Sequence, residues 1–206
     1  MINIQYSIKL EKLRIKKTLE KIGWYEKLGY RPRFPQNIDI KIDSVNSIYN
    51  ALSNEYEEND YLNTAEEIKQ KFEKIEKDFF TKLQDVCGKK IKRKYAVILT
   101  KYGVGGSYSM PNTIIYNFGM KSSSFDTILH EIVHLVIEPY IKKYLIQQNE
   151  KERIVDLILK SEPIALKNYK MQERGMEDAK IIDPIFKKYF NPPINKFFKE
   201  LKRARD

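Results

Sequence analysis

The stretch TILHEIVHLV, residues Thr127–Val136, holds both histidines of a 206-residue chain, His130 and His134. Around them Ile128, Leu129, Ile132, Val133, Leu135, Val136 and Ile137 make the segment apolar on nearly every side, so it reads as a helix buried all round. Residues four apart on an α-helix sit one turn apart on one face, so both imidazoles project the same way. Two buried histidines and the neighbouring Glu131 are costly unless something bonds to them. A metal ion does so. Two ring nitrogens at this spacing reach a single zinc ion, and Glu131 reaches a water on that ion without binding the ion itself. The plainer alternative, a pair of core histidines bonded to backbone or side chains, leaves Glu131 in the same apolar segment unexplained.

Zinc held by three protein side chains keeps a fourth position for water and lowers that water's pKa to about 7. Glu131 would take the proton as the hydroxide attacks a carbonyl, then pass it to the leaving amine. The run His130-Glu131-Ile132-Val133-His134 resembles the HExxH zinc signature of zincin metallopeptidases. Uncharged Thr127, Ile128, Ile132, Val133 and Leu135 and hydrophobic Val136 fit the longer form of the pattern.

No third histidine exists and the single cysteine is Cys87, so a third ligand has to be a carboxylate. Glu138 lies two turns from His130, about 12 Å along a helix axis and too far for one ion. The run NEKERIVDLIL, residues 149–159, places Glu152 and Asp156 four apart on a second helix. Glu152 is the expected ligand, and Asp156 is expected to accept a hydrogen bond from the far ring nitrogen of a ligand histidine. Glu150 is a rival ligand, but the residue one turn after it is Ile154. The Glu152–Asp156 pair resembles the gluzincin branch, thermolysin-like peptidases included, where a second helix carries a glutamate ligand and an aspartate one turn later. That resemblance implies a hydrolase, a zinc-dependent metallopeptidase with Zn2+ as cofactor and a peptide or protein as substrate. It also implies a Tyr, His or Arg that stabilises the oxyanion. Tyr169 is the residue named for that catalytic role, with Arg174 and Tyr108 as alternatives.

The rest of the chain is read outward from this segment. Residues 2–10 alternate in the manner of a strand, and 11–28 turn to helical spacing. Pro32 and Pro35 make 29–38 a connector. A helix is expected over 44–56. A long helix over 64–86 opens on a capping box of Thr64 and Glu67 and is stopped by Gly88. Strands are expected at YAVILT (95–100) and TIIYNF (113–118), joined by a glycine-bearing loop. Gly103, Gly105 and Gly106 suggest a phosphate loop only weakly, since no Gly-Lys-Ser/Thr follows. A stop or kink is expected near Pro139, and breaks near Pro163, Pro184 and Pro192–Pro193. The expected fold is α+β and zincin-like: a small mixed sheet, a long backing helix, a buried HExxH helix and a mostly helical C-terminal part. Residues 1–38 are expected as a basic extension and connector, and 39–206 as the peptidase domain. In zincins an edge strand pairs with an extended substrate; the resemblance gives that role to 113–118.

Charge suggests a second partner. The net charge is +10, with surpluses of +6 over residues 1–35 and +5 over 187–206, so the middle is nearly neutral. Tyr6, Trp24, Tyr25, Phe197 and Phe198 lie within these basic ends. A nucleic-acid-binding protein with a structural or spent metal site is therefore the alternative. One cysteine allows no internal disulfide, and no apolar run is long enough to span a bilayer, so a cytoplasmic setting without a membrane partner is expected. A structural zinc site is ordinarily closed by four protein ligands; the open ligand set here favours the enzyme.

Overall fold

The computed structural model describes residues 1–167, 169–171 and 178–205. Among them the chain forms eight helices and one four-stranded mixed sheet, the α+β composition that the sequence implies. It divides into two compact units, Met1–Phe72 with Lys94–Ile128, and Glu73–Arg93 with Leu129–Asp206. No helix is long and apolar enough to cross a membrane.

The first unit carries the sheet, made of β1 (Ile2–Gln5), β2 (Tyr95–Thr100), β3 (Gly106–Ser109) and β4 (Thr113–Asn117) in the order β1-β2-β4-β3. β1 and β4 run parallel to β2, with Ile4 and Ile114 opposite Val97, while β3 lies antiparallel on β4. Tyr95, Val97 and Leu99 are buried at the two-residue period of a strand. The substrate-edge role expected for 113–118 is corrected by this order. β4 is paired on both sides, so its backbone donors and acceptors serve β2 and β3, and the edges belong to β1 and β3. β3 falls inside the expected loop; GSYS has little apolar content and becomes a strand through its ladder with β4. In the same loop Gly103 serves the backbone: its φ is +79°, it exchanges two main-chain hydrogen bonds with Arg33, and a Cβ there would lie 2.5 Å from Arg14 Nε.

Residues 1–38 supply β1, α1 (Ile8–Leu19) and α2 (Ile22–Lys27) to this unit. Ser7 starts α1 by accepting a hydrogen bond from the Leu10 amide, and Ser44 starts α3 (Val45–Glu55) in the same way from Ser47. Ile15 of α1, Ile48 and Leu52 of α3, and Tyr102 form a fully buried cluster. The Glu11 carboxylate, also buried, accepts hydrogen bonds from the hydroxyls of Tyr61 and Thr100 and from the Lys101 amide. That ties α1 to the end of β2.

Two helices contribute residues to both units, α4 (Glu58–Cys87) and α5 (Phe125–Lys143). α4 begins before the expected cap: Thr64 lies in the helix interior, its hydroxyl donating to the Asp60 carbonyl at 2.7 Å. Acidic Glu58 and Asp60 in the first turn favour the earlier start through the helix dipole. α4 does end at Gly88, as its sequence implies. The second unit adds α6 (Gln148–Lys160), α7 (Ala179–Tyr189) and α8 (Asn195–Arg203). The helix does not stop at Pro139, and the break expected near Pro184 does not occur; α5 and α7 run through these prolines. An internal proline costs a helix about 3 kcal/mol. Burial of Ile137, Tyr140 and Ile141 around the first, and of Ile182 and Phe186 around the second, offsets it. Tyr140 and Tyr144 stack on Phe198, with ring centroids 5.2 and 5.8 Å away, and Arg153 makes paired hydrogen bonds to Asp183, joining α6 to α7.

Candidate metal centre

The helical spacing of α5 delivers what it promises. His130 and His134 turn their Nε2 atoms to within 2.8 Å of each other, and Glu152 of α6 brings Oε2 to 3.1 Å from both. All three side chains are buried. Among the described residues, this is the group of His, Cys, Asp or Glu side chains placed to hold a metal ion.

α6 reaches this position because its sequence is amphipathic and capped. Ile154, Val155, Ile158 and Leu159 are buried, and Glu152 and Asp156 are carried inward beside them. Glu150, the rival ligand, is occupied elsewhere. Its carboxylate accepts a hydrogen bond from the Gln147 amide at 2.7 Å, closing a capping box, and pairs with Arg205. Glu138 pairs with Lys142. The second oxygen of Glu152, Oε1, accepts a hydrogen bond from the Gln148 side chain at 2.8 Å, which leaves Oε2 to the histidines. Gln148 is not named from the sequence, although its i,i+4 relation to Glu152 is the signal that finds it.

Charges set the protonation states. Burial is the largest influence on His134 and lowers its pKa to about 4, against the charge of Glu152, so at neutral pH this ring is neutral. Burial also works against a charged His130, but the hydrogen bond to Glu152 and the charges of Glu131, Glu152 and Asp156 outweigh it and raise its pKa above the ordinary value. Burial pushes the Glu152 carboxyl upward; the two imidazoles overcome this and hold it well below the usual carboxylate range. Glu131 is buried next to His130 in the chain and acts on that ring through its charge.

Asp156 and Tyr169 complete the cluster in an arrangement that spacing does not foretell. Asp156 is fully buried, but its Oδ1 is 3.7 Å from His130 Nδ1, beyond hydrogen-bond reach. The Tyr169 hydroxyl stands between them, 2.7 Å from His130 Nδ1 and donating to Asp156 Oδ1. The oxyanion role expected for Tyr169 is not what this geometry displays: the hydroxyl is on the Nδ1 side of the imidazole, opposite Nε2. Of the alternatives, Tyr108 lies on β3 in the first unit, and Arg174 lies outside the described residues.

The aromatic residues of the basic ends are mostly committed to packing. Tyr25, Phe197 and Phe198 are buried, Tyr6 stacks on Tyr61, and half-exposed Trp24 stacks on Tyr30. Buried rings cannot stack on bases, so the surface expected for nucleic acid loses three of its five members.

The donor set meets a simple test of fit. A tetrahedral ion with bonds of about 2.1 Å holds its ligand atoms about 3.4 Å apart. The three atoms here are 2.8 to 3.1 Å apart, a little closer than that, and all three are atoms able to ligate an ion. Compared with known proteins, the chain matches no family model, no curated protein and no solved structure.

Proposed function

We propose that this protein is a zinc-dependent peptidase of the zincin-like, glutamate-ligand kind, with His130, His134 and Glu152 holding the ion. The observation that carries the reading is the approach of Glu152 Oε2 to both Nε2 atoms, the meeting that the spacings in α5 and α6 call for. Two imidazoles and one carboxylate suit zinc among the common divalent ions. When bound, such an ion supplies Lewis acidity, polarising a carbonyl and lowering the pKa of water to about 7.

The chain's own residues do the rest. Neutral His134 and ionised Glu152 present lone pairs rather than protons to the ion. Gln148 keeps Glu152 from rotating away. Glu131, beside the first ligand and not part of the donor group, takes the proton from the attacking water and delivers it to the leaving amine. The substrate is a peptide or protein segment.

Metal analysis of the purified chain should give about one zinc per molecule. Glu131→Gln should keep that zinc and lower peptide hydrolysis by about 100-fold or more, while Glu152→Ala should lose the metal. A wild-type chain that takes up no divalent ion, or a Glu131→Gln variant that cleaves at the wild-type rate, would defeat the reading.

A further inference from the structure

The protons along Asp156, Tyr169 and His130 can be assigned one at a time. A phenol has one hydrogen to donate and otherwise accepts. The Tyr169 hydrogen goes to Asp156 Oδ1. The phenol oxygen, 2.7 Å from His130 Nδ1, therefore has only lone pairs to offer there, and Nδ1 must supply the hydrogen. A neutral imidazole with its hydrogen on Nδ1 has its lone pair on Nε2. That atom is the one 2.8 Å from His134 Nε2 and 3.1 Å from Glu152 Oε2.

We infer that Tyr169 is a positioning residue: its hydroxyl relays the Asp156 carboxylate to His130 and fixes the tautomer that turns a bare Nε2 toward the metal position. In the common carboxylate–histidine–metal arrangement the acid bonds to the ring directly. Here the acid stands 3.7 Å off and the phenol fills the gap. The near-parallel Tyr169 and His130 rings, 18° apart, hold the hydroxyl at the ring edge, and full burial of Asp156 keeps water from replacing it. The inference rests on reading the cluster as a metal site, but not on peptide hydrolysis.

The chain has two histidines, so full-length protein labelled with 15N-histidine gives two ring systems whose nitrogen shifts report the tautomers directly. Wild type, Tyr169→Phe, Asp156→Asn and the double variant are compared after chelation and again with zinc, whose affinity is read by competition with a chromophoric chelator. In chelated wild type, at a pH high enough to leave His130 neutral, the ring should carry its hydrogen on Nδ1. Tyr169→Phe should move it to Nε2, toward Glu152, and weaken zinc binding about 10-fold. The double variant should bind no more weakly than the weaker single variant, because both changes cut one chain.

Tyr169→Phe keeps the ring, and its circular-dichroism melt guards against general loss of fold; should Asp156→Asn not fold, the tautomer in Tyr169→Phe decides alone. An unchanged His130 tautomer, an unchanged zinc affinity, or losses that multiply in the double variant would overturn the inference. A Tyr169→Phe protein that keeps both tautomer and zinc but loses turnover would make the phenol a group acting on substrate instead. The expected tautomer change in a protein that hydrolyses no peptide would remove the peptidase reading and leave this one standing.

Discussion

Glu11 and Glu152 are both buried carboxylates, yet they are satisfied by different means. Glu11 has three protein donors, from Tyr61, Thr100 and Lys101, and needs nothing more. Glu152 has one amide, from Gln148, and two imidazoles whose protons can leave. The first is a structural tie and the second a ligand in waiting. Glu11→Ala strands three donors, two of them buried, and should cost about 3 kcal/mol in a urea melt. Glu11→Gln keeps one acceptor oxygen and should cost about half as much. A loss in Glu11→Ala below about 1 kcal/mol would mean that the network does not hold α1 in place. The same contrast explains what was readable. His130, Glu131, His134, Glu152 and Asp156 announce themselves as polar residues in apolar helices. Glu11 sits in a run of lysines and arginines and looks like any surface acid until the fold buries it.

α4 ends where its sequence says it should, for two separable reasons. Gly88 has φ +62°, and a Cβ there would come within 2.4 Å of Pro193 Cβ. Gly29 has φ +68° with nothing within 4 Å of its would-be Cβ. Gly29→Ala should therefore cost only the left-handed strain, about 1 kcal/mol, and Gly88→Ala that strain plus the displacement of Pro193, about 3 kcal/mol, by denaturant titration. Equal costs would show that the proline gives way freely. The start of α4 and the unbroken courses of α5 and α7 were less legible. Caps and prolines state local preferences of about 1 to 3 kcal/mol, and burial of Tyr140, Ile182 or Phe186 is of the same size. When two such quantities compete, the one made by packing is invisible in a short window of sequence.

Cys87 gives the second unit a built-in reporter. It lies in that unit with the His130–His134–Glu152 cluster, is buried, and has its thiol pKa pushed up to about 12 by burial, against the pull of Lys89. Below that pKa the folded protein holds the unreactive thiol; unfolding returns it to an ordinary thiol with a pKa of about 8.5. Raising the pH toward 8.5 should thus speed labelling of the unfolded chain far more than of the folded one. Labelling of the native protein should be limited by opening. Zinc at about 100 times its Kd should slow it about 100-fold if the opening that frees Cys87 also disperses the cluster. A labelling rate indifferent to zinc would mean that Cys87 is freed by local fraying at the end of α4.

The histidine pair, the glutamate beside it and the Glu152–Asp156 pair were legible in the bare chain because each is a relation across one helical turn, and backbone geometry alone sets that relation. The strands at 95–100 and 113–117 were legible for the same kind of reason. Folding had to settle whichever relations span long stretches of chain. It put the hydroxyl of Tyr169, 39 residues away, on His130, and it slid β3 alongside β4 so that the latter became an interior strand. Sheet ladders use N–H and C=O groups that nearly every residue carries, and a phenol has many surfaces to rest on. Neither leaves a periodic mark, so packing of the whole chain selects among choices that local pattern leaves equal.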